Sequence, residues 1–107
     1  MAVEMFRVRI GSEPRYLPAT GDKKAVAYAR VAEPQSKQVD GQWVEQDPVW
    51  MDAAVRGGWA DKLTTEYQNG DALIVFGETE RHVKENAEGK EFRTLKLHVK
   101  GFGPDPL

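Results

Sequence analysis

The chain has 107 residues, of which 40% are hydrophobic and 30% charged, which suits one soluble domain with a single core. It contains no cysteine, and this excludes a disulfide framework and a thiolate metal site. The longest apolar run, residues 72–76, is too short to cross a bilayer, and the N-terminus lacks a signal-peptide pattern. We therefore expect a cytoplasmic protein without a membrane partner.

The net charge is −2, but it is unevenly distributed. Residues 1–30 have a net charge of +3, residues 31–80 of −7 and residues 81–107 of +2. If the first and last strands pair, a basic surface can form despite the acidic total.

The first two predicted strands show a clear two-residue alternation. Phe6, Val8 and Ile10 alternate with arginines, which predicts a half-buried strand, and residues 11–22, with two prolines and two glycines, are predicted to be loop. The second strand covers residues 25–32, with small apolar residues on one face and Tyr28 and Arg30 on the other. Residues 33–41 are predicted to be a long hairpin connection that ends in an Asp-Gly turn signal.

The third strand places a tryptophan on its polar side. Trp43 begins the return from the hairpin, and the strand itself is predicted over residues 49–56. Val49, Met51, Ala53 and Val55 are predicted to lie on its core face, whereas Trp50 shares the opposite face with an aspartate and with Arg56.

A short helix and two further strands complete the chain. Trp59, Leu63 and Tyr67 have helical spacing, which predicts a helix of about three turns with all three residues facing the core. The fourth strand is predicted from residue 72 to about residue 84. The fifth is predicted over residues 92–100, where Leu95, Leu97 and Val99 alternate with Lys96, His98 and Lys100.

This order predicts an all-β fold with one short helix: a five-stranded Greek-key barrel, the OB-fold, with the helix between strands three and four. An open α+β sheet with the same order is the alternative. The barrel is favoured because the strands are long and the helix is too short to cover an open sheet.

No arrangement of residues indicates catalysis, so we expect a protein that is not an enzyme and uses no cofactor or metal. His82 and His98 lie on different predicted strands without apparent metal-ligand partners, and no glycine pattern suited to a phosphate precedes a helix. The aromatic and basic strand surface remains. An exposed aromatic ring stacks on any base, and neighbouring arginines and lysines contact phosphates. A buried subunit interface is the alternative explanation for Trp50.

A series of short motifs spans residues 3–103: Gly11, Pro14-Arg15-Tyr16, Pro18, Ala25-Val26-Ala27, Asp40-Gly41, Trp43-Val44-Glu45, Val49 to Val55, Ala60, Leu63, Glu66-Tyr67, Gly70-Asp71, Val75, Gly77 and Glu88-Gly89-Lys90. In this order and spacing they resemble the motifs of bacterial and phage single-stranded DNA-binding proteins of the OB-fold SSB family. The resemblance implies single-stranded DNA as the partner, bound without sequence preference. It also implies a homo-oligomer, either dimer or tetramer, in a bacterial nucleoid or in the cytoplasm of a phage-infected host.

The resemblance assigns base stacking to Trp50. It also shows departures, because Val55-Arg56 and Val83-Lys84 stand where the family often has aromatic residues, so Arg56 and Lys84 are expected to contact phosphates instead. The nucleic-acid-binding residues predicted from the sequence are Trp50, Arg56, Tyr28, Arg30, Lys84, Lys96 and Trp43.

Residues 1–103 are expected to form the DNA-binding domain and residues 104–107 a short end. Fuller members of the family continue into a tail with an acidic tip that recruits repair and replication enzymes. This sequence stops at GPDPL, so recruitment by that route is expected to be lost if the protein lacks the tail.

Two functions remain open at this point. The first is protection of single-stranded DNA in replication, recombination or repair. The second is an OB-fold module that binds proteins in a replication or restart complex, which the acidic middle of the chain favours. Steep salt dependence of binding would distinguish the first from the second.

Overall fold

The computed structural model describes residues 3–106, apart from the side chains of Lys84 and residues 91–93. Its elements in chain order are β1 (Glu4–Ile10), β2 (Arg15–Leu17), β3 (Val26–Val39), β4 (Gln42–Arg56), α1 (Gly58–Glu66), β5 (Ala72–Glu85) and β6 (Glu91–Pro104).

Five of the strands close into a barrel. One edge of β1 pairs with β5 and the other pairs with β3, while β6 lies between β5 and β4 and runs parallel to β4. This closure confirms the predicted OB-fold, with the helix after the third barrel strand, and makes the open-sheet alternative wrong. The first and last strands do not pair, so no basic surface arises in the way that the charge distribution suggested.

The core consists largely of the strand faces that alternation predicted. Val49 is the exception: it lies beside the register shift and is 38% exposed, so its prediction as a core residue is wrong. Leu97 at the centre of β6 is fully buried, and Met51 of β4 is 1% exposed. The other buried side chains come from all five barrel strands, from the residue before β3 and from the helix: Phe6, Val8, Ile10, Ala25, Ala27, Ala29, Val31, Ala53, Val55, Ala60, Leu63, Leu73, Val75 and Phe102. A closed barrel has one interior, so each strand contributes every second residue to it.

The segment predicted to be loop contains β2. This short strand pairs antiparallel with β3, with Tyr16 opposite Ala27. The Tyr16 hydroxyl donates a hydrogen bond to Asp61 Oδ1 in the first turn of α1, and this bond is the main cause of a raised pKa at Tyr16. Three residues are too few to show alternation, which is why the sequence did not reveal the strand.

The predicted connection over residues 33–41 is mostly strand. β3 and β4 continue as a two-stranded arm, and the turn is confined to Asp40 and Gly41, with φ angles of 52° and 81°. Two successive left-handed residues match the right-handed twist of a hairpin, so a tight turn replaces the expected loop.

The helix places only part of its predicted stripe in the core. Ala60 and Leu63 are buried, and Tyr67, just past the helix, is half-buried against Phe102. Trp59 is 40% exposed, so its prediction as a core residue is wrong. Its ring lies 5.0 Å from Phe102 (centroid to centroid) and leaves its other side to solvent. Within residues 3–106 no helix is both long and apolar enough to cross a membrane.

Candidate nucleic-acid interface

Side chains that point away from the core on adjacent strands form one surface, which we call the outer face. Strand register aligns these side chains in rows across β2, β3, β4, β6 and β5. The outer face contains Arg15, Tyr28, Arg30, Trp50, Asp52, Arg56, Glu78, Glu80, His82, Lys96 and His98. Five of the seven residues predicted from the sequence therefore lie on it.

Trp50 is 44% exposed and is held from two sides. A methyl group on Gly11 would lie 2.5 Å from Trp50 Cζ3, so the absence of a side chain at Gly11 makes room for the ring. The guanidinium carbon of Arg30 lies 4.9 Å from the centroid of the ring, a cation–π contact. An incoming base must therefore stack on the opposite side of the ring or displace Arg30.

Arg30 is itself positioned by two neighbours. Its backbone N–H donates to Ser12 Oγ at 2.9 Å, which ties β3 to the segment after β1. Its Nε lies 3.6 Å from Asp52 Oδ1 on β4, and both side chains are more than half exposed. An ion pair with this exposure contributes little, so the guanidinium can move toward a phosphate at small cost.

Trp50 and Arg30 line an open groove of about 470 Å³. One wall comes from β3 and β4 and the other from the β5–β6 hairpin. The lining residues are Arg30, Trp50, Asp52, Arg81, His82, Val83, Thr94 and Leu95.

Trp43 lies on the arm, outside this groove, and is 72% exposed. On a regular strand, residues seven apart point to opposite sides. Between Trp43 and Trp50, however, the register shifts: Gln35 pairs with Gln46 and Glu33 pairs with Val49, so β4 has one more residue than β3 in this interval. As a result Trp43 and Trp50 lie opposite Gln38 and Ala32, which are six residues apart on β3. Both tryptophans thus project from the same side of the hairpin, about 20 Å apart along it.

Tyr28 and Arg56 extend the outer face toward the other end of the hairpin. Tyr28 is 43% exposed and lies opposite Ala54, two residues from Arg56 on the same side of β4. Trp43, Trp50 and Tyr28 therefore form one track of exposed aromatic rings with arginines between and beyond them.

Of the two lysines predicted to contact DNA, the structure describes the side chain of Lys96 but not that of Lys84. Lys96 lies between Asp52 and Glu80 in a row that begins with Arg30. Charges alternate in this row, so its two cations and two carboxylates cancel. The side chain of Lys84 lies outside the described residues.

Arg15 is a residue that sequence reasoning did not select. β2 places it directly opposite Tyr28 on the outer face, and it is exposed. In the sequence, Arg15 was noted only as part of the Pro14-Arg15-Tyr16 motif of the resemblance, and no function was assigned to it.

Glu80 joins the two histidines, which the sequence placed on separate strands. Its Oε2 lies 2.8 Å from His98 Nε2 in a hydrogen bond, and its Oε1 lies 3.1 Å from His82 Nε2. The hydrogen bond with His98, followed by the contact with His82, lowers the pKa of Glu80. In the described part of the chain, no group of three or more His, Cys, Asp or Glu side chains is arranged to hold a metal ion.

Comparison with solved structures gives a likeness of fold. A small single-stranded DNA-binding protein from Streptomyces coelicolor superposes with a TM-score of 0.83, covering 98% of this chain and 94% of that one at 13% sequence identity. The likeness is one of fold. No protein-family model matches this sequence, and no curated protein matches it. The structural neighbour thus supports the barrel and its helix position, while the role of each residue on the outer face stays a prediction.

Proposed function

We propose that this protein binds single-stranded DNA without sequence preference and protects it in replication, recombination or repair, as an OB-fold member of the SSB family. The observation that supports this most is the position of Trp50: a half-exposed ring in a groove, on a face that also presents Arg30, Arg56 and Lys96. The same fold in a single-stranded DNA-binding protein from Streptomyces coelicolor agrees with the proposal.

Each type of residue on this face has a role in the proposed complex. Trp50, Tyr28 and Trp43 stack on bases spaced along the bound strand, and each stacked base contributes about 1–3 kcal/mol. Arg30, Arg56, Lys84 and Lys96 contact phosphates, and we add Arg15 to them because β2 places it beside Tyr28. Backbone contacts and stacking are indifferent to base identity, so no sequence preference is expected.

We further propose that the protein is a homo-oligomer assembled through β1 and β5. Within residues 3–106, one edge of β1 is paired only at Arg9 and Ile10, so residues 4–8 present an open strand edge. Met5 and Phe76, which are cross-strand partners beside this edge, are 59% and 46% exposed. Covering them in a second copy removes apolar area from water.

The proposal is tested by titrating the protein with fluorescently labelled oligo(dT) and measuring anisotropy at low and at high salt. Binding is expected to weaken steeply as salt rises, and Trp50→Ala is expected to weaken it by about tenfold or more, because one stacked base is lost. Quenching of the intrinsic tryptophan fluorescence is recorded in the same titration and should be smaller in that variant, with the remainder coming from Trp43.

Trp59→Phe provides the matched control. Trp59 is exposed to a similar degree as Trp50, 40% against 44%, but lies on the helix, away from the outer face. Phenylalanine retains an aromatic contact with Phe102, so this variant should bind as the unaltered protein does. Absence of binding at low salt by correctly folded protein would refute the proposal.

A protein-binding function is the second candidate, and one observation favours it. Three carboxylates, Asp52, Glu78 and Glu80, lie on the outer face, where they repel phosphates. A partner protein held mainly by apolar contacts would bind with little dependence on salt, which separates this candidate from the first.

A further inference from the structure

The groove opens where two strands of the barrel separate. β4 and β6 pair with each other over residues 52–54 and 96–98. Trp50 precedes this stretch on β4 and Leu95 precedes it on β6, and both line the groove. β5 and β6 remain paired with each other beyond this point, so their hairpin forms a second wall that faces β4.

Arg81 lies on this second wall, on the side of β5 that faces the core elsewhere along the strand. Thr79 lies opposite Leu97, which is fully buried, and Arg81 lies opposite Leu95, which is half-buried against the core. Two residues further along the same side, Val83 is 61% exposed. This side of β5 therefore leaves the barrel at Arg81, which is itself exposed and lines the groove. A charged residue is tolerated there because its side chain is not enclosed in the core.

Arg81 has no partner in the described part of the chain. It forms neither an ion pair nor a side-chain hydrogen bond there, whereas Arg30, the other arginine of the groove, lies over Trp50 and 3.6 Å from Asp52. Because the charges of Arg30 and Asp52 offset each other, Arg81 supplies the excess positive charge among the arginines and the aspartate that line the groove. An exposed guanidinium group without a partner has all five of its N–H donors available to an anion.

We propose that Arg81 binds a backbone phosphate of single-stranded DNA from the second wall, so that the nucleotide stacked on Trp50 is held between β4 and the β5–β6 hairpin. The inference rests on the proposed function and assigns a contact to a residue that lies outside the outer face and that the sequence analysis did not select. The groove volume of about 470 Å³ is within the range of sites that enclose a small ligand, about 300–1,000 Å³, so it has room for one nucleotide. The adjacent carboxylate, Glu80, points to the other side of β5 and lies outside the lining of the groove.

The first test removes the charge of Arg81 and measures the salt dependence of binding. Each phosphate neutralised on a single strand contributes about 0.7 to the magnitude of the slope of log K against log salt concentration. In Arg81→Gln the slope for oligo(dT), measured by anisotropy at several salt concentrations, should fall by about 0.7, and affinity at low salt should fall by about fivefold. Arg81→Lys keeps the charge and should retain the slope. A purely structural role of Arg81 would not make the slope follow the charge at this position.

A double-mutant cycle tests whether Arg81 and Trp50 hold the same nucleotide. If they do, Trp50→Ala releases that nucleotide and leaves Arg81 with less to bind. The double variant Trp50→Ala, Arg81→Gln should then lose less affinity than the product of the two single losses, by about threefold or more. The comparison is Trp50→Ala with Arg56→Gln. Arg56 is six residues away on β4, about 20 Å along the strand, so these two losses should multiply.

Lys62→Gln is the matched control for the change in charge. Lys62 lies on α1, away from the groove, and its ion pair with Glu66 is exposed, so its loss has little effect on folding. This variant should bind oligo(dT) with the affinity and the salt slope of the unaltered protein. An Arg81→Gln variant with an unchanged slope would overturn this inference and leave the proposed function standing, as would losses at Arg81 and Trp50 that multiply. Absence of binding by the unaltered protein at low salt would instead overturn the proposed function.

Discussion

At the scale of single residues, the contacts around Trp50 explain how a strand keeps a tryptophan on its solvent side. The ring occupies space that the missing side chain of Gly11 leaves open, and Arg30 lies over it. The ring is thereby held in one position while remaining half exposed. A stacking platform that is already ordered loses less side-chain entropy when a base arrives.

Substitution of Gly11 tests this arrangement. In Gly11→Ala the new methyl group would lie 2.5 Å from Trp50 Cζ3 and 2.8 Å from Cη2, so the ring must move. We expect oligo(dT) affinity to fall by about fivefold, or about 1 kcal/mol, measured by anisotropy. Gly103→Ala is the control, because a methyl group there would contact nothing within 4 Å. Equal affinities of the two variants would show that Gly11 does not position the ring.

At the scale of elements, irregular pairing decides where the strands project their side chains. The register shift near Pro48 brings Trp43 to the side of Trp50, and a proline is tolerated there because a bulge leaves its position without a ladder hydrogen bond. A second register shift lies between Phe76 and Gly77 of β5, in its pairing with β6, where these two long strands bend around the barrel. Gly77 is buried there against the backbone of His98.

The second shift leads to a prediction about stability. A methyl group at position 77 would lie 2.5 Å from the carbonyl oxygen of His98, and backbone cannot move aside as a side chain can. We expect Gly77→Ala to lower the free energy of unfolding by about 1–3 kcal/mol, measured by urea denaturation.

Gly58→Ala is the corresponding control, since a methyl group at this first residue of α1 meets nothing within 4 Å. It should raise the free energy of unfolding by up to about 1 kcal/mol, because alanine favours the helix and restricts the unfolded chain. A Gly77→Ala variant as stable as Gly58→Ala would contradict this account of the bend.

At the scale of the whole molecule, the acidic total charge and the proposed DNA contact are compatible because several arginines lie beside the aromatic track. Arg15, Arg30 and Arg56 lie beside Tyr28 and Trp50 on β2, β3 and β4, whereas Glu78 and Glu80 lie on β5. On β1, Arg7 is bound to Asp105 and Arg9 donates to the Gly70 carbonyl oxygen. Both arginines thus have intramolecular contacts, and the apolar pair Met5 and Phe76 characterises that side of the barrel.

The proposed oligomer is tested by replacing the exposed apolar side chains on β1 and β5. The double variant Met5→Ser, Phe76→Ser should have a smaller mass than the unaltered protein in sedimentation velocity, because each buried apolar side chain contributes about 1.5–3 kcal/mol to association. Leu17→Ser is the control, since Leu17 is 42% exposed but lies on β2, away from β1 and β5. A monomeric unaltered protein, or a double variant of unchanged mass, would contradict the proposal.

The sequence by itself determined the barrel, the core faces of β1, of the first half of β3 and of residues 51–55 of β4, and the exposure of Trp50. These features follow from two-residue alternation, which is local, and from the order of strands and helix, which leaves few ways to close a sheet. It did not reveal β2, whose three residues are too few for a pattern, or that Trp59 stays exposed at the end of the barrel.

Tertiary structure alone decided which outer residues meet. Glu80 and His98 are 18 residues apart, and their contact depends on the register of two long strands. Trp43 and Trp50 share a side only because one strand has an extra residue at a bulge. A single-residue change in register exchanges the two faces of a strand, so contacts between strands become known only when the pairing is known.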